Sequence, residues 1–309
     1  MSSAVELKEK PQSQTMYMLT GWRQWADAGS MSSGLPQYLI QENKARKIGT
    51  IKPDGFYLFQ IPGTHDLVRP MVRFENGFPK ALETPHNEVY YTGDDERGYV
   101  IILGDEPHLN IEQYIDAVLY IVEELKVKRI ISFGGVYGEL PYDKERTVSG
   151  TYSLKSMQEE MENLALNLSD YQGGASIGSF LCKRAGERNI EYAGFYAFVP
   201  TYDFSSASQI GNAIRIENDF MAWYGVMRRV NHMIGARFDL TDLEKKCKRL
   251  IDTVDAKVEE LDSIAPKVGV REYMQRLSDE FDEVTFDPLG NVWEDEIKRL
   301  FDDGETDNS

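Results

Sequence analysis

At 309 residues, with 41% hydrophobic and 28% charged side chains, the sequence is that of a soluble globular protein long enough for one large domain or two ordinary ones. Its net charge of −17 repels phosphate backbones, and no stretch nears the roughly 20 apolar residues of a membrane span, so nucleic acid and membrane are excluded as partners. The two cysteines, Cys182 and Cys247, lie far apart, which fits reduced thiols and excludes a disulfide framework or a cysteine metal cluster.

The N-terminus, MSSAVELKEKPQSQ, is polar and lacks the apolar core of a signal peptide, so residues 1–15 are expected to be a disordered leader on a cytoplasmic protein. Met16 to Trp22 reads as a strand, followed by a helix with Met31, Leu35, Tyr38 and Leu39 on one face. Three short strand-like pieces come next, at Phe56 to Ile61, Val68 to Phe74 and Glu88 to Tyr91. With no long helix between them, antiparallel pairing is expected, which makes the sheet mixed.

Tyr99 to Leu103 is a continuous apolar run, the pattern of a strand buried on both faces. Asn110 and Gln113 predict a capped helix start, and Ile111, Ile115, Val118, Leu119, Val122 and Leu125 mark its apolar face. A second buried strand is expected at Arg129 to Phe133, then a polar loop from Gly134 to Thr151, and a helix over about Leu154 to Leu168. Another repeat follows: a helix carrying Ile177, Leu181 and Ala185, a strand at Tyr192 to Val199, and a long helix from about Ser206 to Met233.

Beyond Gly235 the pattern is helical only. Thr241 and Glu244 form a capping-box signature, Leu243, Cys247, Leu250, Val254, Val258 and Leu261 form a stripe, and Pro266 separates it from a second amphipathic helix bearing Val270, Tyr273, Met274, Leu277 and Phe281. The segment 279–309 holds twelve acidic residues against Lys298 and Arg299 and contributes −10 of the net charge. Within it Trp293, Ile297, Leu300 and Phe301 give a short apolar helix face, expected on a mobile, weakly docked acidic tail over 286–309.

Gly174-Ala175-Ser176-Ile177-Gly178 matches a G-x-S-x-G string, with Asp203 and His232 in hydrolase order. A nucleophile elbow needs a buried strand ahead of the serine, whereas Leu168 to Gln172 is polar. Ser176 is therefore not expected to be a nucleophile. Gly173 and Gly174 ahead of a helix start could instead hold an anion, or simply permit tight packing. Asp27, Glu106 and the loop with Glu139 and Arg146 follow strands, so they are expected to face one cleft, although Asp27 could equally cap a helix. His65, His86, His108 and His232 lack metal-ligand spacing, so no metal is expected.

Several of these strings also carry a family likeness. Gly21-Trp22-Arg23-Gln24-Trp25-Ala26-Asp27-Ala28-Gly29 resembles, with an insertion, the GW-x-DAG signature of the proteasome assembly chaperone 2 family. Gly104-Asp105-Glu106-Pro107 resembles its G-x-E-P turn, Tyr171 to Ile177 its Y-x-G-P-x-G-I segment, and Val199-Pro200-Thr201-Tyr202 its P-x-Y strand end.

The resemblance spans residues 16–236. It implies an α/β fold, a three-layer α/β/α sandwich with a mixed sheet similar to purine nucleoside phosphorylases, plus a C-terminal helical extension over 237–285. It also implies a non-enzymatic protein-binding or assembly factor, homo-oligomeric, without a cofactor, whose partners are proteasome subunits where the cell has them. The loop Leu140 to Arg146 departs from the bacterial branch in lacking a histidine, and the ending Thr306 to Ser309 lacks the hydrophobic-tyrosine tail of archaeal relatives. The alternative is a small-ligand binder or an enzyme of nucleoside phosphorylase or hydrolase type, using Asp27, Glu106, Glu139, Arg146, Gly173, Gly174 and Ser176.

Overall fold

The computed structural model describes residues 4–60, 69–204 and 213–287. In chain order the strands and helices begin with β1 (Val5–Leu7), β2 (Thr15–Arg23), α1 (Gly34–Glu42), β3 (Arg46–Ile51), β4 (Met71–Glu75), β5 (Phe78–Glu83), β6 (Asn87–Gly93), β7 (Arg97–Asp105), α2 (Ile111–Glu124) and β8 (Val127–Gly138). They continue with β9 (Val148–Tyr152), α3 (Gln158–Glu162), β10 (Asn167–Leu168), α4 (Ile177–Glu187), β11 (Glu191–Asp203), β12 (Ala213–Arg215), α5 (Phe220–Ile234), α6 (Thr241–Ile264) and α7 (Val270–Glu280).

The main sheet runs β1-β3-β6-β7-β2-β8-β11-β9-β10, with β12 paired to β11. Its centre, β7-β2-β8-β11, is parallel, and the flanking pairs β1-β3, β3-β6, β6-β7 and β11-β9 are antiparallel. The mixed sheet expected from the hydrophobic pattern is therefore present, and its parallel centre needs cover on both faces. Alternation along β2 sends Tyr17 and Leu19 into one core and Met16, Met18 and Trp22 into the other. Against the first face lie α1, α5, α6 and α7; against the second lie α2 and α4.

Leu243, Val254, Val258 and Leu261 of α6 and Val270 and Met274 of α7 share the first core with Leu19 and Ile101, so the helical pair lies on the sheet layer. Local starts are made differently from the expectation. Asn110 sits in the left-handed region and its amide donates to Gly55 O at 2.8 Å, and the N–H of Thr241 donates to Asp239 Oδ1 at 2.9 Å.

Several expected boundaries are corrected. The N-terminal leader contributes β1, which pairs Val5 to Leu7 with Ile51 to Gly49 on the sheet edge. The piece from Phe56 to Gln60 is not a strand, while β3, β5 and β9 are strands that carry no continuous apolar run. The helix expected over Leu154 to Leu168 shrinks to the five residues of α3, and that expected from Ser206 starts only at Phe220. Phe286, placed by sequence in the mobile tail, is buried at 1% exposure against α5. The Trp293, Ile297, Leu300 and Phe301 face lies outside the described residues.

Candidate functional site

The carboxyl ends of β2 and β7 meet side by side, with Arg23 and Asp105 as register partners. The chain leaves β2 toward α1 on one face and leaves β7 toward α2 on the other, which makes this a topological switch point, the place where α/β sheets bind ligands. Arg23 Nη1 lies 3.5 Å from Asp105 Oδ1 and is a buried atom without a hydrogen-bond partner among the described residues. Asp105 Oδ2 accepts the His86 N–H at 2.8 Å, and Asp105 O accepts Tyr57 OH at 2.7 Å. The chain of bonds continues inward: Trp22 Nε1 donates to Tyr114 OH, Tyr114 OH to Asn87 Oδ1, and Asn87 Nδ2 to Tyr57 OH.

Gly21 permits this approach, because a Cβ there would sit 1.9 Å from Ser32 O, on the turn that α1 follows. The same turn uses Asp27. Its Oδ1 accepts the N–H groups of Ser32 and Ser33, both at 2.9 Å, so it ties down the turn ahead of α1 without capping a helix, and burial pushes its carboxyl up against the pull of those bonds. Gly29, at φ 60, leaves no room for a side chain, since a Cβ there would lie 2.8 Å from Asp219 Cβ and 2.9 Å from Val199 Cγ2, and its carbonyl accepts Trp223 Nε1 at 3.0 Å. The Gly21 to Gly29 string is thus a structural knot joining β2, α1 and α5.

Glu106 takes the position expected for an external anion. Its Oε1 accepts the N–H of Ile177, the first residue of α4, at 2.7 Å, so this helix start already holds a carboxylate of its own chain. Ser176 is the N-cap: its Oγ accepts Ser179 N at 3.2 Å and lies 2.9 Å from Ser179 Oγ. Its backbone is extended, at φ −72 and ψ 163, without elbow strain. His232 belongs to α5 and packs on Phe286 in the first core, whereas α4 belongs to the second, so sheet and helices separate it from Ser176. Exposed Gly173 and Gly174 sit beside Trp25 and Tyr171: a Cβ on Gly174 would lie 4.0 Å from Trp25 Cζ2, and Tyr171 OH donates to Gly174 O.

The structure does not join these groups to Arg146 or Glu139. Arg146 is corrected from a cleft residue to a core residue: it is 1% exposed, its Nε donates to Asp219 Oδ2 at 2.8 Å, and its Nη1 donates to the carbonyls of Pro141, Tyr142 and Lys144. Glu139 is exposed and faces Tyr273 of α7, on the first face of the sheet. Arg23, Asp105, His86 and Tyr57 were missed as a group. Their sequence signal is a charge at the last residue of a buried strand, Arg23 ending β2 and Asp105 ending β7. Among the described residues, no three His, Cys, Asp or Glu side chains are placed to hold a metal ion.

Two outcomes follow from this geometry. Fluorophosphonate is expected to leave Ser176 unlabelled, and Ser176→Ala to cost about 1 kcal/mol as a lost cap; covalent adduct on Ser176, absent in the variant, contradicts this. Burial is the main influence on Glu106 and raises its carboxyl above the usual range, so the folded state holds that proton more tightly than the unfolded chain. Its contribution is thus complete at low pH and is lost as pH rises through the folded pKa. Glu106→Gln, which still offers Ile177 an acceptor, is expected to gain on the wild type in urea unfolding at about pH 7 and to lose that advantage by about pH 4. A difference independent of pH counts against it.

Fold and site together define a mixed-sheet α/β protein in which Asp27 and Glu106, at the sheet end, are bonded to backbone N–H groups of their own chain. The PAC2 family profile matches residues 22–258, and the chain belongs to the PAC2 family. No curated protein is significantly similar. Among solved structures, the chain is similar to a Mycobacterium tuberculosis proteasome-assembly chaperone homologue (TM-score 0.66, 19% identity, 78% of this chain and 94% of that one). It is also similar to a Streptomyces avermitilis PAC2 family protein (0.66, 21%, 84% and 99%). A third is Pyrococcus furiosus PbaB, an archaeal proteasome activator (0.58, 19%, 82% and 98%). At these identities the likeness is one of fold.

Proposed function

We propose that the chain is a non-enzymatic protein-binding factor of the assembly-chaperone type, cytoplasmic and homo-oligomeric, with proteasome subunits as partners where the cell has them. One observation carries the reading: at the sheet end, Glu106, Asp27 and Ser176 are engaged by backbone or helix-cap bonds, while Trp25 and Tyr171 stand 58% and 69% exposed beside Gly174. Large aromatics left in solvent within one loop cluster are the anchors that protein interfaces use. The family, and relatives described as a proteasome-assembly chaperone homologue and a proteasome activator, support the partner class. Burial pushes the Cys182 thiol up to about 11 and the Cys247 thiol up to about 12, which suits unreactive thiols in a reducing compartment.

Affinity capture from native lysate tests this. The tagged wild type is expected to retain proteasome subunits, and Trp25→Ala with Tyr171→Ala to lose them; a wild type that retains none overturns the reading. The second reading, a small-ligand binder, is favoured by Arg23 alone, whose buried Nη1 faces Asp105 at 3.5 Å and has no hydrogen bond among the described residues. Protection of the wild type, but not of Arg23→Ala, from thermal unfolding by inorganic phosphate or a small carboxylate decides for it.

A further inference from the structure

At the other end of the same strands, Arg97, the first residue of β7, is the register partner of Thr15 of β2, about 26 Å along the strand from Arg23 and Asp105. A cavity of about 270 Å³ opens there between the β6–β7 turn and the loop joining α5 to α6, with Asn43 and Thr92 also on its wall. Arg97 lines it from the turn side and Arg237 from the loop side, together with Tyr99 and Phe238, whose ring centres lie 4.6 Å apart. Both sides are held in place. Gln14 and Thr15 donate their N–H groups to the carbonyls of Asp95 and Glu96 at 2.9 and 3.0 Å, which fixes the turn. The Asn231 amide donates to Phe238 O at 3.0 Å and accepts the Phe238 N–H at 3.3 Å, which fixes the loop that carries Arg237. Helix α5 ends on Gly235 at φ 58, where a Cβ would lie 3.2 Å from Arg97 Nη1. The glycine lets the guanidinium rest against the carboxyl end of α5, where the helix dipole favours a cation.

The chain has 51 acidic residues against 34 basic ones, yet among the described residues neither Arg97 nor Arg237 is in an ion pair. The acids that line the cavity do not fill that role: Asp94 and Glu96 are exposed, and Asp94 Oδ1 accepts the N–H groups of Glu96 and Arg97, both at 2.9 Å. We propose that the cavity is a binding site for a small oxyanion, the phosphate or carboxylate group of a metabolite-sized ligand, held between the Arg97 and Arg237 guanidinium groups. A planar fork of N–H donors matches either group in bidentate fashion, and two forks on separate elements place positive charge on a chain whose net charge is −17. The site is independent of the Trp25 and Tyr171 contact and of Arg23.

Isothermal titration calorimetry of the full chain with inorganic phosphate and with succinate, at constant ionic strength, tests it. The wild type is expected to bind at least one of the two, phosphate alone assigning a phosphate ester and succinate alone a carboxylate. Arg237→Ala, at an exposed position outside both cores, is expected to weaken binding by about tenfold or more through loss of a charge-assisted pair, and Arg97→Ala to do the same. Arg23→Ala, at the opposite end of the strands, is expected to bind as the wild type does. A wild type that binds neither anion, an affinity unchanged in Arg237→Ala, or binding lost in Arg23→Ala each overturns the site.

Discussion

Arg146→Ala is expected to lower stability by about 3–5 kcal/mol, the cost of leaving one member of a buried ion pair without the other. Both side chains of the Arg146–Asp219 pair are fully buried, and they meet at 2.8 Å. The pair also organises backbone on both sides. Arg146 holds the loop carbonyls of Pro141, Tyr142 and Lys144, while Asp219 Oδ1 caps α5 through the N–H groups of Met221 and Ala222, both at 3.1 Å. Removing the guanidinium strands a carboxylate and three carbonyl bonds in the core. Asp219→Asn keeps the cap and is expected to cost less than Asp219→Ala. Urea unfolding measures all three; a loss below about 1 kcal/mol for Arg146→Ala shows that the pair is not a stabilising node.

Phe286→Ala is expected to cost about 3–5 kcal/mol and to release the segment that follows α7. Phe286 lies in the first core, 5.6 Å from the His232 ring, with the Arg229 guanidinium 5.0 Å from its ring centre. Glu145 ties the same place together. Its Oε1 accepts Arg229 Nη1 at 3.0 Å and the Phe286 N–H at 3.4 Å, and Glu283 in turn accepts the Glu145 N–H at 2.8 Å. The truncated side chain leaves a cavity among charged groups that cannot close over it. Val284→Ala, at a site 50% exposed, serves as the control and is expected to stay within about 0.5 kcal/mol of wild type. Thermal unfolding with limited proteolysis reads both effects; equal behaviour of the two variants places Phe286 outside the core.

The sequence by itself determined the buried centre of this protein. Tyr99 to Leu103, Arg129 to Phe133 and Tyr192 to Val199 read as strands because continuous apolar runs report burial on two faces, and the stripes of α2 and α6 read as helices because burial on one face recurs every 3.6 residues. Where burial is partial, that signal fades. β3, β5 and β9 flank the parallel centre or leave it altogether, their residues are of mixed exposure, and only their pairing partners make them strands.

The site shows the same division. Reading residues at strand ends found Asp27 and Glu106, and the polar run Leu168 to Gln172 argued against Ser176 as a nucleophile, while its place as the N-cap of α4 came from the structure. Only the tertiary structure decided that Glu106 bonds the N–H of Ile177, 71 residues on, and that Arg146 is consumed by Asp219, 73 residues on. Such pairings have no period in the chain. A carboxylate facing a crevice and a carboxylate closing a helix start follow the same local pattern, and they differ only in which distant backbone arrives beside them.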